Sequence, residues 1–225
     1  YPGGLKVQVD ENGAPIKQKL GNTVPEVTGG FGFNGKIKNF DFNVFFNYSL
    51  GGDVVNGTKL ANAFYHGSAR NYNLVADFNS SNRYNWIDPA TGLNIGRPST
   101  STIAAYGGAD ALIQRLNELN ANANIYNPAA VSNMQIIDYA VEDASFLRLN
   151  TLTVGYTFPK KWMKSIYLTS LRLYFTAYNL FCITGYDGYD PEVDTSSKNT
   201  PMCPGIDYAA YPKSRTFMVG VNVNF

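Results

Sequence analysis

Along much of this chain apolar and polar residues alternate with a strict period of two, the signature of a β-strand with one face buried in an apolar medium and one facing water. One case is the end of the chain. Phe217, Val219, Val221, Val223 and Phe225 fall on one side, and Thr216, Met218, Gly220, Asn222 and Asn224 on the other. Alternation also starts at Thr28, with Phe31, Phe33 and Ile37 opposing Gly30, Gly32, Asn34 and Lys36. After a short turn at Lys38 and Asn39, a second run places Phe40, Phe42, Val44, Phe46, Tyr48 and Leu50 against Asn39, Asp41, Asn43, Asn47 and Ser49, with Phe45 the one exception. A third strand is expected from Ala144 to Phe158. Its parity switches from Leu147 and Leu149 to Leu152, Val154 and Tyr156, which predicts a bulge near Asn150 and Thr151. A fourth, Ser170 to Cys182, sets Leu171, Leu173, Phe175 and Ala177 against Arg172, Tyr174, Thr176 and Tyr178.

The connections divide into short and long. Residues 1–27, with glycines and prolines throughout, read as a loop with at most a small hairpin from Leu5 to Val9 closed at Asp10–Gly13. Residues 28–51 form a hairpin, and 52–142 a long insertion rich in Asn, Gly, Ala and Ser. Within the insertion, Leu112, Leu116 and Leu119 predict a helix over 110–121 capped by Asp110, and a weaker helix is expected near 59–69. Residues 143–225 hold the last three strands, separated by a short piece around Trp162 and a long loop at 183–214. Strands of about ten residues with short turns at one end and long loops at the other are the pattern of an all-β, antiparallel transmembrane barrel. Five such strands cannot close a wall, since small membrane barrels need about eight, so pairing with strands outside this chain is expected. A soluble β-sandwich that binds carbohydrate would need a second sheet over the alternating faces. A structural outer-membrane barrel without transport is the other alternative.

Composition supports strands with one wet face. The 225 residues are 44% hydrophobic and 16% charged, and 16 Tyr and 14 Phe supply much of the apolar share. There is no apolar run of the roughly 18 residues a membrane helix needs. A net charge of +1 argues against a nucleic-acid partner, which calls for a concentrated basic face. The start at Tyr1, with neither an initiator Met nor a signal peptide, is expected of a chain cut from something longer. Cys182 and Cys203 fit either a single bridge or two free thiols.

No catalytic constellation emerges. His66 is the only histidine and has no second imidazole to share a metal. Asp187, Asp190, Glu192 and Asp194 offer oxygen ligands to Ca²⁺ but lack a recognised loop spacing, so a solvated acidic loop is the simpler reading and no cofactor is expected. In the same loop, Tyr186, Tyr189, Tyr208 and Tyr211 could stack on sugar faces or pack between loops. Tyr186, Tyr189, Asp187 and Asp190 are the candidate ligand-binding residues. Trp162, with Lys160, Lys161 and Lys164, fits a membrane-rim anchor.

The segment from Asp143 to Trp162, Asp-Ala-Ser-Phe-Leu-Arg-Leu-Asn-Thr-Leu-Thr-Val-Gly-Tyr-Thr-Phe-Pro-Lys-Lys-Trp, resembles the block "D-x-S-F-[LV]-R-L-x-N-[LI]-x-[LIV]-G-Y-x-[LF]-P" of SusC/RagA-type TonB-dependent transporters. The pieces Ser170–Tyr174, Tyr178–Phe181, Gly185–Val193, Tyr211–Pro212 and Arg215–Phe217, with the terminal Phe225, follow in that family's order, and Gly30–Gly32 and Phe45–Val54 are similar to its preceding hairpin. Thr151 stands where the family often has Asn, and residues 56–135 fall outside the resemblance. The resemblance implies the last part of a plugged barrel of about 22 strands in the outer membrane of a Gram-negative bacterium of the Bacteroidetes type. It also implies the partners: the remaining N-terminal part of the transporter, a SusD-like lipoprotein, TonB acting through the plug, outer-membrane lipid, and the barrel-assembly machinery. The last would read the terminal strand through Phe217, Val221, Val223 and Phe225. The implied function is energised import of glycans or oligopeptides, with no enzymatic step.

Overall fold

The computed structural model describes residues 2–5, 8–64, 73–131, 136–164, 167–195 and 204–225. Its strands, in chain order, are β1 (Val27–Ile37), β2 (Phe40–Leu50), β3 (Asp53–Asn56), β4 (Val141–Asp143), β5 (Phe146–Thr157), β6 (Ser170–Thr184), β7 (Ile206–Asp207) and β8 (Thr216–Asn224). The helices are α1 (Gly57–Ala61), α2 (Thr100–Ala105), α3 (Ala109–Leu119) and α4 (Lys160–Lys164). Two compact units form, one from residues 20–57 and 138–225, the other from 1–19 and 58–137.

The first unit is built on a five-stranded antiparallel sheet in the order β1-β2-β5-β6-β8. These are the five strands that the alternation predicts, 9 to 15 residues long, whereas no helix among the described residues is long and apolar enough to cross a membrane. Lys38, at φ 55°, turns β1 into β2, and the two strands then pair without interruption from Ile37↔Phe40 to Val27↔Leu50.

The expected bulge is present. Opposite Phe45 and Phe46 the partner in β5 jumps from Thr151 to Leu149, leaving Asn150 unpaired, and β6 shifts at the same level, where Asn179 has φ 51°. Because the extra residue in β5 reverses the parity of that strand, Leu147, Leu149, Leu152 and Val154 all stay on one face, whereas β6 passes two residues, Asn179 and Leu180, at this level and keeps its parity.

That face is apolar from edge to edge. Phe31 stacks on Phe46 at 5.1 Å, Phe40 lies 4.7 Å from Tyr156, and Phe175 stacks on Phe217 at 6.0 Å. Among the described residues no second sheet covers it: Phe33 is 61% exposed, Ile37 66% and Val219 69%. A sandwich core would bury these side chains.

The opposite face is polar. Thr153 and Thr176 hydrogen-bond across the strands at 3.0 Å, and Arg172 of β6 reaches over Gly155 of β5 to pair with Asp41 of β2. A Cβ on Gly155 would sit 2.5 Å from Arg172 Nη2 and 2.7 Å from Asp41 Oδ1, so only glycine lets the pair span three strands. Phe45, the one break in the polar pattern, lies over Gly30 and Gly32, where a Cβ would be 2.7 and 3.1 Å from its ring. The aromatic fills what the glycines leave open.

Above the sheet, β4-β3-β7 form a small second sheet, with β3 antiparallel to β4 and parallel to β7. No period-two run signals strands of two to four residues.

In the other unit α3 packs Leu112 and Leu116 on Ile95, with Tyr84, Ile103, Tyr106 and Leu119 around them. The expected cap differs. Gly108 is the N-cap residue of α3 with no side-chain bond, and Asp110 lies inside the first turn, where the helix dipole favours a negative charge. The helix expected at 59–69 is reduced to α1 over its described part, since 65–69 lies outside the described residues. Near the start, Asp10 Oδ1 accepts from the amides of Asn12 and Ala14, and the hairpin consists of one bridge, Val9↔Pro15. Lys6 and Val7 of the expected strand lie outside the described residues.

Buried Asp88 organises this unit. It accepts from Arg115 Nε and Nη2 at 2.8 and 3.0 Å and from the Tyr106 hydroxyl at 2.9 Å, which, with the Ala90 amide, hold its carboxyl well below the usual carboxylate range. A depressed folded-state pKa gives stability that is present above about pH 4 and fades as the pH drops further. Asp88→Asn is therefore expected to lower the melting temperature at pH 7 and to flatten the acid dependence between about pH 4 and 2; an unchanged acid slope in thermal melts contradicts this. Gly155→Val is expected to cost about 1–3 kcal/mol, and combining it with Asp41→Asn should be clearly less than additive in a denaturation cycle.

Candidate functional site

A network of polar side chains gathers at the loop end of the sheet, where β5 begins and β6 runs into residues 185–195. Asp143 Oδ1 accepts from both the amide and the hydroxyl of Ser145, whose Oγ in turn accepts from the Gly51 amide at 2.9 Å. Thr184 Oγ1 donates to the Ser145 carbonyl at 2.8 Å and accepts from the Tyr186 amide at 3.1 Å. From there the chain crosses to Arg148, which is buried. Its Nη2 donates to Asp190 Oδ1 at 2.6 Å, and its Nε lies 3.4 Å from Glu192 Oε2, which also pairs with Lys213. Asp190 further accepts from the amides of Glu192 and Lys213.

Two of the four candidate ligand-binding side chains are thus engaged inside the fold. Asp190 neutralises Arg148. Tyr186 is buried and donates its hydroxyl to Asp207 Oδ2 at 2.7 Å. Burial first, and the bond to Asp207 second, push its phenol far above the ordinary tyrosine range, so it stays a neutral donor at physiological pH. Gly188 makes room for its ring, because a Cβ there would meet Tyr186 at 2.2 Å. The other two lie at the surface. Tyr189 is 77% exposed, as are Tyr208 at 56% and Tyr211 at 88%, and the Asp187 amide donates to Glu142 Oε2. Among the described residues no three His, Cys, Asp or Glu side chains converge as a metal site, and the acidic loop is balanced by Arg148 and Lys213 instead. His66 and Cys203 lie outside the described residues, and with Cys203 the possible bridge to Cys182.

A cavity of about 230 Å³ opens beside the network, lined by Arg148, Cys182, Tyr189, Asp190, Lys213 and Arg215 among others. The sequence reading did not single out Arg148, Lys213 or Arg215. An arginine among the alternating apolar residues of β5 was the available signal for the first.

Three of the four candidate assembly residues lie on β8. Phe217, Val221 and Val223 project from the apolar face beside Ala177, Leu173 and Leu171 of β6, and Phe225 follows β8, 91% exposed. At the same end of the sheet Trp162 of α4 is exposed and packs 6.2 Å from Phe158, while Met163 is buried.

An open antiparallel wall, apolar on one side, polar on the other and carrying structured loops at one end, defines the class: a segment of a β-barrel of the outer-membrane type. No protein-family model matches the chain. It is 30% identical over 231 residues to TonB-dependent receptor P3 of Formosa agariphila, covering all of this chain and 19% of that protein. It is 38% identical over 89 residues to TonB-dependent receptor SusC of Bacteroides thetaiotaomicron, covering 39% of this chain and 8% of that one. The fold superposes on the RagAB peptide transporter with a TM-score of 0.63 at 21% identity, over all of this chain and 20% of the other. The chain is therefore related over its whole length, the 56–135 insertion included, to a TonB-dependent receptor, and over 39% of its length to SusC. It spans about a fifth of the length of the relatives that it matches throughout.

Removing one member of a buried ion pair leaves a buried charge, at a cost of about 3–5 kcal/mol. Asp190→Ala is accordingly expected to free the segments 185–195 and 204–215 for cleavage in limited proteolysis. Adding Arg148→Met should restore part of the protection; equal cleavage of wild type and Asp190→Ala contradicts the fastening role.

Proposed function

We propose that the chain is a wall segment near the C-terminal end of a TonB-dependent importer in the outer membrane of a bacterium of the Bacteroidetes type. The observation that carries this reading is the sheet itself: strands long enough to cross a bilayer, with an uncovered apolar face and a hydrogen-bonded polar one. In this reading the apolar face meets lipid and the polar face lines the interior of a closed, plugged barrel. Further strands of the same transporter pair with the free edges of β1 and β8, in a wall of about 22 strands.

The loop end lies outside the cell. The insertion at 52–142 and the loop at 183–214 leave the strands on that side, and a SusD-like lipoprotein closes over the vestibule. Tyr189 and Asp187 are the side chains offered to cargo, whereas Tyr186 and Asp190 hold the loop in place. Trp162 and Lys160, Lys161 and Lys164 mark the periplasmic rim. Phe217, Val221, Val223 and Phe225 serve as a signal for barrel assembly. Cargo, a glycan or an oligopeptide, enters without covalent chemistry when TonB acts on the plug.

Uptake of labelled oligosaccharides and oligopeptides by cells expressing the intact transporter, with and without a working TonB system, tests the reading. One cargo class is expected to enter only when TonB is coupled, and a lipoprotein is expected to co-purify with the transporter. TonB-independent uptake of both classes, or no uptake of either, contradicts import.

A further inference from the structure

We infer that the loop end of the polar face holds a subsite for a carboxylate, centred on Arg215. The inference deepens the import reading and rests on it only for taking the ligand to be cargo.

The subsite arises where two strands differ in length. Pairing of β6 with β8 ends at Tyr178↔Thr216, but β6 continues to Thr184. Over 180–184 its outer edge pairs with no strand among the described residues, and the cavity of about 230 Å³ lies along that edge. The Asn179 side-chain amide, donating to the Ser214 carbonyl at 3.2 Å, ties β6 to the segment that leads into β8.

Charge then selects the ligand. Arg148, Lys213 and Arg215 stand at or beside this cavity against Asp190 and Glu192. Asp190 and Glu192 take up Arg148, and Glu192 also holds Lys213. Arg215 is left with no hydrogen-bond or ion-pair partner among the described residues.

An exposed arginine alone would mean little. This one lines a cavity whose wall includes the buried Arg148, and Arg148 Nε makes no hydrogen bond, because its 3.4 Å contact with Glu192 is electrostatic only. One uncompensated guanidinium matches a single negative charge, and its planar fork fits a carboxylate through two parallel hydrogen bonds. The cavity is smaller than the roughly 300–1,000 Å³ of pockets that enclose a whole ligand. It takes a terminal group, with the Tyr189 ring beside it as a surface for the adjoining residue or sugar. A peptide C-terminus and a uronic acid both supply this group.

Binding to the intact transporter in detergent separates the sources. Tri-alanine is compared with its amide, and trigalacturonic acid with its methyl ester, by calorimetry. The free acid of one pair is expected to bind about tenfold tighter than its neutral counterpart, as one charge-assisted contact gives. Arg215→Gln should erase that difference, Arg215→Lys should keep part of it, and added salt should shrink it. Which pair shows the preference identifies the source.

Equal binding of acid and neutral forms, binding of neither pair, or an acid preference that survives Arg215→Gln overturns the subsite. An Arg215-dependent preference in a protein whose uptake ignores TonB leaves the subsite standing and removes the import reading.

Discussion

In the proposed membrane setting, the sheet depends on a backbone that must satisfy its hydrogen bonds in a medium that offers none. In hydrocarbon each unpaired amide or carbonyl costs several kcal/mol, so strands can cross only as a continuous ladder. The five-stranded sheet supplies that ladder for its three inner strands, with register maintained from β1 through β8. An uncovered apolar face would be a liability in water. Against lipid it is the surface the protein needs, and the two free edges then define where neighbouring strands must pair.

The same constraint explains why the bulges matter. A one-residue slip turns every following side chain to the other face. At Asn150 the extra residue in β5 does the reverse: it allows a sequence whose parity breaks to keep Leu147 and Leu152 on one side. On the polar side, small residues set what can lie flat. Gly155 admits the Asp41–Arg172 pair, and Gly30 and Gly32 admit Phe45, so the glycines fix interactions as firmly as the large residues do.

The strands and the bulge were legible because period-two alternation is local, and each strand announces its own face. The loop end was not. Arg148 and Asp190 are 42 residues apart, and Asp88 and Arg115 are 27 apart, so no window holds both partners. The aromatic and acidic residues at 185–193 looked alike as exposed candidates, yet Tyr186 and Asp190 are held inside by Asp207 and Arg148 while Tyr189 is free. Seen in the fold, the separate stretches that resemble SusC/RagA-type transporters are a single bonded unit: Asp143 holds Ser145, Ser145 holds Gly51, and Arg148 holds Asp190. The 65–72 stretch, with His66, and the 196–203 stretch, with Cys203, lie outside the described residues.

The central claim is that the apolar face of the sheet meets lipid and the polar face meets water. Spin labels placed one at a time at 217–223 of β8, in the intact transporter with Cys182 and Cys203 replaced by serine and reconstituted in bilayers, test it most directly. Oxygen should reach the labels at Phe217, Val219, Val221 and Val223, and a water-soluble nickel chelate those at Met218, Gly220 and Asn222, with a period of two. Uniform access of the nickel chelate along β8, or the opposite phase, would contradict the account.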